Sequence, residues 1–154
     1  VALTVGKGRC IGAFDQAARF AAQADPHAVV RRVTVPAGVP VAFREWLDTR
    51  TIPLPGGPDR TADLVAAVDD PTGPPALLVS EFQSRHDADK LDVTLEEAGI
   101  LRGHARHGAD RKGKYRVLTA LVYLIGRCPD GVLDMTLPGG FGTRHAPLSW
   151  NVGD

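Results

Sequence analysis

The chain has 154 residues, a length that suits one ordinary domain, and 44% of them are hydrophobic, enough for a real core. Lys plus Arg total 18 and Asp plus Glu total 18, so the formal net charge is zero and any phosphate-binding surface has to be a local groove rather than a general basic excess. No apolar run reaches the roughly 18 residues of a membrane helix, no secretory leader pattern opens the chain, and two distant cysteines, Cys10 and Cys128, make neither a disulfide framework nor a zinc signature. Free thiols fit a reducing compartment, so a cytoplasmic protein is expected. The chain does not begin with Met. We expect residues 1–154 to be a single domain, the N-terminal part of a longer protein.

Glycine and proline, 17 and 12 residues, cut the chain into short elements. Residues 11–25 (IGAFDQAARFAAQAD) carry Ile11, Phe14, Ala18 and Ala21 or Ala22 at helical spacing. Asp25-Pro26 ends that helix, because the residue before proline resists the helical conformation. Residues 26–33 read as a second short helix or an extended piece. Residues 41–48 (VAFREWLD) read as a further short helix with Phe43, Trp46 and Leu47 on one side. Residues 51–59 (TIPLPGGPD) hold three prolines and two glycines, and so read as a loop or a ragged edge strand.

Two strand-like runs follow, residues 61–68 (TADLVAAV) and 75–82 (PALLVSEF). The turn-rich DDPTGPP at 69–75 lies between them, so the pair reads as a β-hairpin. From Asp87 to His107 the pattern is helical, with Leu91, Leu95, Ala98 and Leu101 or Arg102 tracing the inner face and Glu96, Glu97 and Arg106 the outer one. Residues 108–114 (GADRKGK) are a polar, basic loop. Residues 117–126 (VLTALVYLIG) read as a buried strand, which normally pairs parallel with the strand before its crossover helix. The tail, residues 138–152, adds an edge strand at 148–152. The fold class expected is α/β, with an α+β-type mixed sheet.

The chemistry is concentrated at residues 75–89 (PALLVSEFQSRHDAD). Alternate side chains of a strand share a face, which groups Leu77, Val79, Glu81 and Gln83. A carboxylate on a core strand is costly unless it is paired or binds a metal. The antiparallel turn carries Asp63, at the start of the first hairpin strand, back towards Glu81 and Gln83. Two carboxylates converging at a strand end form a hard-oxygen site suited to Mg²⁺. Such an ion can activate water for phosphodiester cleavage. A third group must hold the attacking water. The Gln83 amide can orient it but is no useful base.

This pattern, Asp63 and then Glu81-Phe82-Gln83, resembles the PD-(D/E)XK nuclease superfamily in the form where glutamine replaces the lysine. The wider chain is similar to the recombination-promoting nuclease and transposase-like branch found in bacterial genomes. The likeness runs over roughly residues 12–127. It rests on FDQAARF followed by ADP, on the ADLV and EFQS strands, on the DAD helix start and on VLTALVYLI. The resemblance implies a restriction-endonuclease-like αβββαβ core and a DNA endonuclease that uses Mg²⁺, with Mn²⁺ as substitute. It also implies Asp63 and Glu81 as metal ligands, with the backbone carbonyl of Phe82 beside them, and Gln83 at the lysine position. Asp15 is the nearest match to an accessory acid from the first helix, and Glu45 the next. Arg60, Lys90, Lys112 and Lys114 are candidate phosphate contacts. DNA is the implied partner, and a homodimer suits a two-stranded substrate.

Simpler readings stand beside these. Asp63 also suits a turn or a helix cap, and Glu81 also suits a structural ion pair with Arg60 or Arg85. Ser80 near His86 lacks the G-x-S-x-G elbow of a hydrolase, and PGGFG lacks the lysine of a phosphate loop. His104 and His107 lack further zinc ligands. A catalytically silent nuclease fold, kept for binding DNA or protein, is the second functional expectation.

Overall fold

A computed structural model describes residues 13–49, 64–84, 87–107, 116–126 and 131–153, without the side chains of Asp15 and His107. Helix α1 (Ala13–Ala24) is built on alanine-rich sequence and turns Ala18 and Ala22 to the core. Phe14, expected on its inner face, is 63% exposed. Helix α2 (Pro26–Thr34) begins at once, because Asp25 Oδ1 accepts the Ala28 amide at 3.0 Å and Pro26 fills the first turn. Of the two readings open for this segment, the helix is the one observed. A 3₁₀ turn (Val35–Ala37) closes on Gly38, whose φ of 69° suits glycine.

Strand β1 (Ala42–Trp46) replaces the short helix expected at residues 41–48. Its pairing with β2 (Leu64–Asp69) is antiparallel and slips between Phe43 and Glu45. A bulge of this kind inserts one extra residue and resets side-chain parity. Phe43 and Trp46, three apart, therefore both pack on the same core, 5.0 Å apart between ring centroids. That spacing imitates helical periodicity in a strand, which is why the segment reads as a helix.

The predicted hairpin is present. β2 pairs antiparallel with β3 (Ala76–Gln83), Leu64 opposite Ser80 and Val68 opposite Ala76. Helix α3 (Lys90–His107) then crosses over, and β4 (Arg116–Tyr123) pairs parallel with β3 as expected, with Glu81 opposite Leu121 and Gln83 opposite Tyr123. The five-stranded sheet runs β1-β2-β3-β4-β7, where β7 (Leu148–Asn151) is the predicted edge strand, parallel to β4. From α2 to β4 the α-helices and strands of the described residues follow the order α, β, β, β, α, β. This is a mixed α/β architecture.

Ahead of β7, a second hairpin pairs β5 (Leu133–Thr136) with β6 (Gly142–His145), which the sequence reading did not include. The PGGFG stretch is its turn, in which the Leu137 amide donates to Phe141 O at 2.6 Å.

The sheet separates two cores. Leu64, Ala66, Val68, Ala76, Leu78, Phe82, Ala120 and Val122 meet α1 and α2 through Ala22, Val30 and Val33. Val65, Ala67, Leu77 and Val79 lie on the opposite face with Leu101 of α3. Full burial on both faces accounts for the near-continuous apolar character of β3 and β4. Among the described residues no helix is long and apolar enough to cross a membrane.

Candidate functional site

β3 carries Leu77, Val79, Glu81 and Gln83 on the face towards α3, and all four are buried. The apolar half of this face packs Leu77 and Val79 against Leu101. Its other half is polar. Glu81 is only 3% exposed, a position where an uncompensated carboxylate would cost several kcal/mol or more. Its compensation is Lys90, the first residue of α3, whose Nζ donates to Glu81 Oε2 at 2.6 Å. The structural ion pair anticipated for Glu81 is thus present with Lys90. The partners proposed for it, Arg60 and Arg85, lie outside the described residues.

The start of α3 places that lysine. Asp87 Oδ1 accepts the Asp89 amide at 3.1 Å, and Asp87 O accepts the Lys90 amide at 3.2 Å. The turn these bonds close sets the first helical residue over the end of β3.

Gln83, 4% exposed, lies two residues beyond Glu81 on the same face. Its backbone oxygen accepts the Leu124 amide at 2.8 Å. Its side-chain Oε1 is buried and has no hydrogen-bond partner among the described residues. A buried acceptor left unsatisfied costs about 1–3 kcal/mol. Such an atom is the kind of group that a ligand, an ion or an ordered water satisfies.

α3 lies on the sheet in a different rotation from the expected one. Its most buried residues are Thr94 (0% exposed), Glu97 (3%) and Leu101 (0%). With Lys90 they fall at i, i+4, i+7 and i+11, one stripe of a helix. Glu97, assigned to the outer face, therefore points inward, and Leu91, Leu95 and Ala98 are half-buried flanks. The reason is the polar end of β3. A helix crossing Glu81 and Gln83 needs polar residues in its first turns and apolar ones later.

Thr94 Oγ1 lies 2.9 Å from His145 Nε2, which docks the β5–β6 hairpin on α3. His145 is partly buried, and desolvation holds its pKa below the ordinary histidine value. Sequence reasoning missed Lys90 as a partner of Glu81, put Glu97 on the wrong face, and did not single out Thr94 or His145. The four-residue stripe of α3 was the available signal for the first three.

The remaining candidates divide plainly. Asp63, Arg60, Lys112 and Lys114 lie outside the described residues. Leu64, the neighbour of Asp63 in sequence, pairs with Ser80, the neighbour of Glu81. Phe82 is buried with its ring on the α1–α2 face. Asp15 is on α1, which packs on that same face. Glu45 is on β1 and exposed, opposite Ala67, which pairs with Leu77. Leu77 lies four residues before Glu81, a separation of about 13 Å along a strand, so Glu45 and Glu81 are not brought together. Ser80 points to the face opposite Glu81, and Trp46 and Trp150 pack against the core.

Comparison with protein-family models, with curated proteins and with solved structures returns no match.

The donors that remain are oxygen atoms, the Glu81 carboxylate and the Gln83 amide, and hard oxygen donors suit Mg²⁺ or Mn²⁺. Gln83 Oε1, buried and unsatisfied, fits such an ion. Among the described residues no three His, Cys, Asp or Glu side chains converge to hold a metal, so a complete shell calls on a further ligand.

Proposed function

We infer that this chain is a metal-dependent DNA endonuclease with a restriction-endonuclease-like core, related to PD-(D/E)XK enzymes of the recombination-promoting type. The observation that carries the reading is the pairing of buried Glu81 with the unsatisfied Oε1 of Gln83 on one face at the end of β3. The order α, β, β, β, α, β around that strand supports it. So does the β2–β3 register, which brings the residue after Asp63 opposite the residue before Glu81.

In this reading Asp63 and Glu81 hold Mg²⁺, with the Phe82 carbonyl as a further ligand. The bound ion supplies an activated water and charge neutralisation for phosphodiester hydrolysis. With Gln83 Oε1 turned to the ion, the amide N–H of Gln83 orients a water as donor, without taking its proton. The hydrophobic floor of Val79 and Leu121 keeps bulk water out, which strengthens each charge interaction at the strand end.

The test is cleavage of plasmid and single-stranded DNA with Mg²⁺ and with Mn²⁺. Asp63→Ala and Glu81→Ala should each lower the rate by more than about 100-fold, because even outer-shell partners of a metal are worth roughly 10- to 100-fold. Cleavage that survives both changes in a clean preparation removes the assignment.

Two observations favour a second reading, a catalytically silent nuclease fold that binds DNA or protein. Lys90 already neutralises Glu81, and Gln83 cannot serve as a base. DNA binding that persists without a divalent ion, with no cleavage even in Mn²⁺, selects this alternative.

A further inference from the structure

The Lys90–Glu81 pair joins two residues of unequal standing. Glu81 is fixed on a central strand with its side chain 4% exposed, whereas Lys90 reaches it from the first residue of α3 with its side chain 16% exposed. The helix N-terminus is the positive end of the macrodipole, so a lysine ammonium there is held against the local field. Its attachment to Glu81 offsets that. A four-carbon stem on a helix end can move its charge several ångströms through rotamer changes alone, while a strand carboxylate cannot follow. Glu81 needs a positive charge, and Lys90 is the mobile source of one.

We propose that the Lys90 ammonium is the resident counter-charge of Glu81 and that a divalent cation enters by exchanging with it. This rests on the reading of Glu81 as a metal ligand. The incoming ion takes the Glu81 carboxylate and the unsatisfied Gln83 Oε1. Lys90 is released from the carboxylate, because an ammonium and a divalent ion cannot share one buried carboxylate without strong repulsion. Its charge is then presented beside the metal, where a phosphodiester backbone would neutralise both. Metal affinity without substrate is thereby kept low, and metal and phosphate bind in concert.

The experiment is a calorimetric Mn²⁺ titration, without DNA, of the full chain and of Lys90→Met, Lys90→Arg and Glu81→Gln. Lys90→Met should bind Mn²⁺ at least about tenfold more tightly than the wild type, since the competing charge is gone. Lys90→Arg, which keeps the charge, should stay within about threefold of wild type, and Glu81→Gln should abolish binding. A second measurement uses the unaltered protein and is independent of how Lys90→Met folds. Acetylation of Lys90, followed by mass spectrometry with Lys7, Lys112 and Lys114 as internal references, should speed up several-fold on saturation with Mn²⁺. In Glu81→Gln without metal it should be faster than in the metal-free wild type. If Glu81→Gln abolishes Mn²⁺ binding, yet Lys90→Met binds no more tightly or Lys90 stays protected at saturation, the exchange is wrong and the metal site stands. If neither wild type nor Lys90→Met binds Mn²⁺, or if binding survives Glu81→Gln, the metal reading falls and takes the exchange with it.

Discussion

Thr94 Oγ1 lies 3.0 Å from the Leu91 carbonyl oxygen and 2.9 Å from His145 Nε2. A hydroxyl has one proton, and a carbonyl can only accept. Thr94 donates to Leu91, so it accepts from His145, and the histidine carries its proton on Nε2. The hairpin is docked by a histidine that is already the donor when neutral.

Desolvation lowers the His145 pKa from 6.5. The unfolded chain therefore takes up this proton first as the pH falls, so stability declines as the pH drops through about 6.5 towards the lower folded value. Thermal melts between pH 8 and pH 5 should show that decline in the wild type and a flatter one in His145→Gln. Equal slopes would clear His145 of the effect.

Asp70 has the opposite sign. Thr72 donates to its Oδ1 from hydroxyl and amide, each at 2.7 Å, and the Arg116 guanidinium sits on Oδ2. These bonds, the Thr72 hydroxyl foremost, lower its pKa from 3.8 to about 2. The stabilisation is complete above 3.8 and disappears as the pH falls from there to about 2. Asp70→Asn should melt earlier than wild type at pH 7, and the two should converge near the folded pKa. A gap that persists in acid would point to packing rather than charge.

Leu101 is fully buried against β2 and β3, whereas Leu95 is a flank. Leu101→Ala should cost about 2–5 kcal/mol in denaturant unfolding, and Leu95→Ala distinctly less. The reverse order would mean that α3 lies in the rotation its leucines first suggest.

Glu81 and Lys90 should be strongly coupled. Removing either partner takes a counter-charge from a buried group, at roughly 3–5 kcal/mol. The double variant Glu81→Ala with Lys90→Ala should lose less than the sum of the single losses, by at least about 1 kcal/mol. Additive losses in urea melts would show that the two side chains are compensated separately.

Gly142 opens β6 with φ 129°, and a Cβ there would clash with the Met135 carbonyl oxygen. Gly142→Ala should unpair the β5–β6 hairpin and leave the five-stranded sheet intact. Amide exchange resolved by residue would register this as lost protection at residues 133–145 with β3 and β4 unchanged.

The sequence is most legible where one periodicity acts alone. Ala-rich α1, the β2–β3 hairpin with its proline-rich turn, buried β4 and the parity of Glu81 with Gln83 can all be read directly. Legibility fails where two effects overlap. The bulge in β1 gives Phe43 and Trp46 a helical spacing. The inner face of α3 is chosen by the polar end of β3, not by leucine count, which hides Thr94 and Glu97. Lys90 reads as a surface phosphate contact, because its partner lies on another element and burial alone reveals it. The β5–β6 hairpin has too few apolar residues to announce itself, with Met135, Leu137 and Phe141 all exposed.

The position of β3, between an antiparallel neighbour made before it and a parallel neighbour made after it, has a consequence during synthesis. When Gln83 leaves the ribosome, β1, β2 and β3 can form a meander whose last strand ends in an open edge. Its cover, β4, is complete only at Tyr123. At translation rates of roughly 5–20 residues per second, the nascent chain holds that edge open for roughly 2–8 s. Leu77 and Val79 face water for the first part of it, until α3, the helix that covers them, is whole at His107. This interval is when the chain most needs a chaperone, and slowing translation downstream of residue 83 would lengthen it.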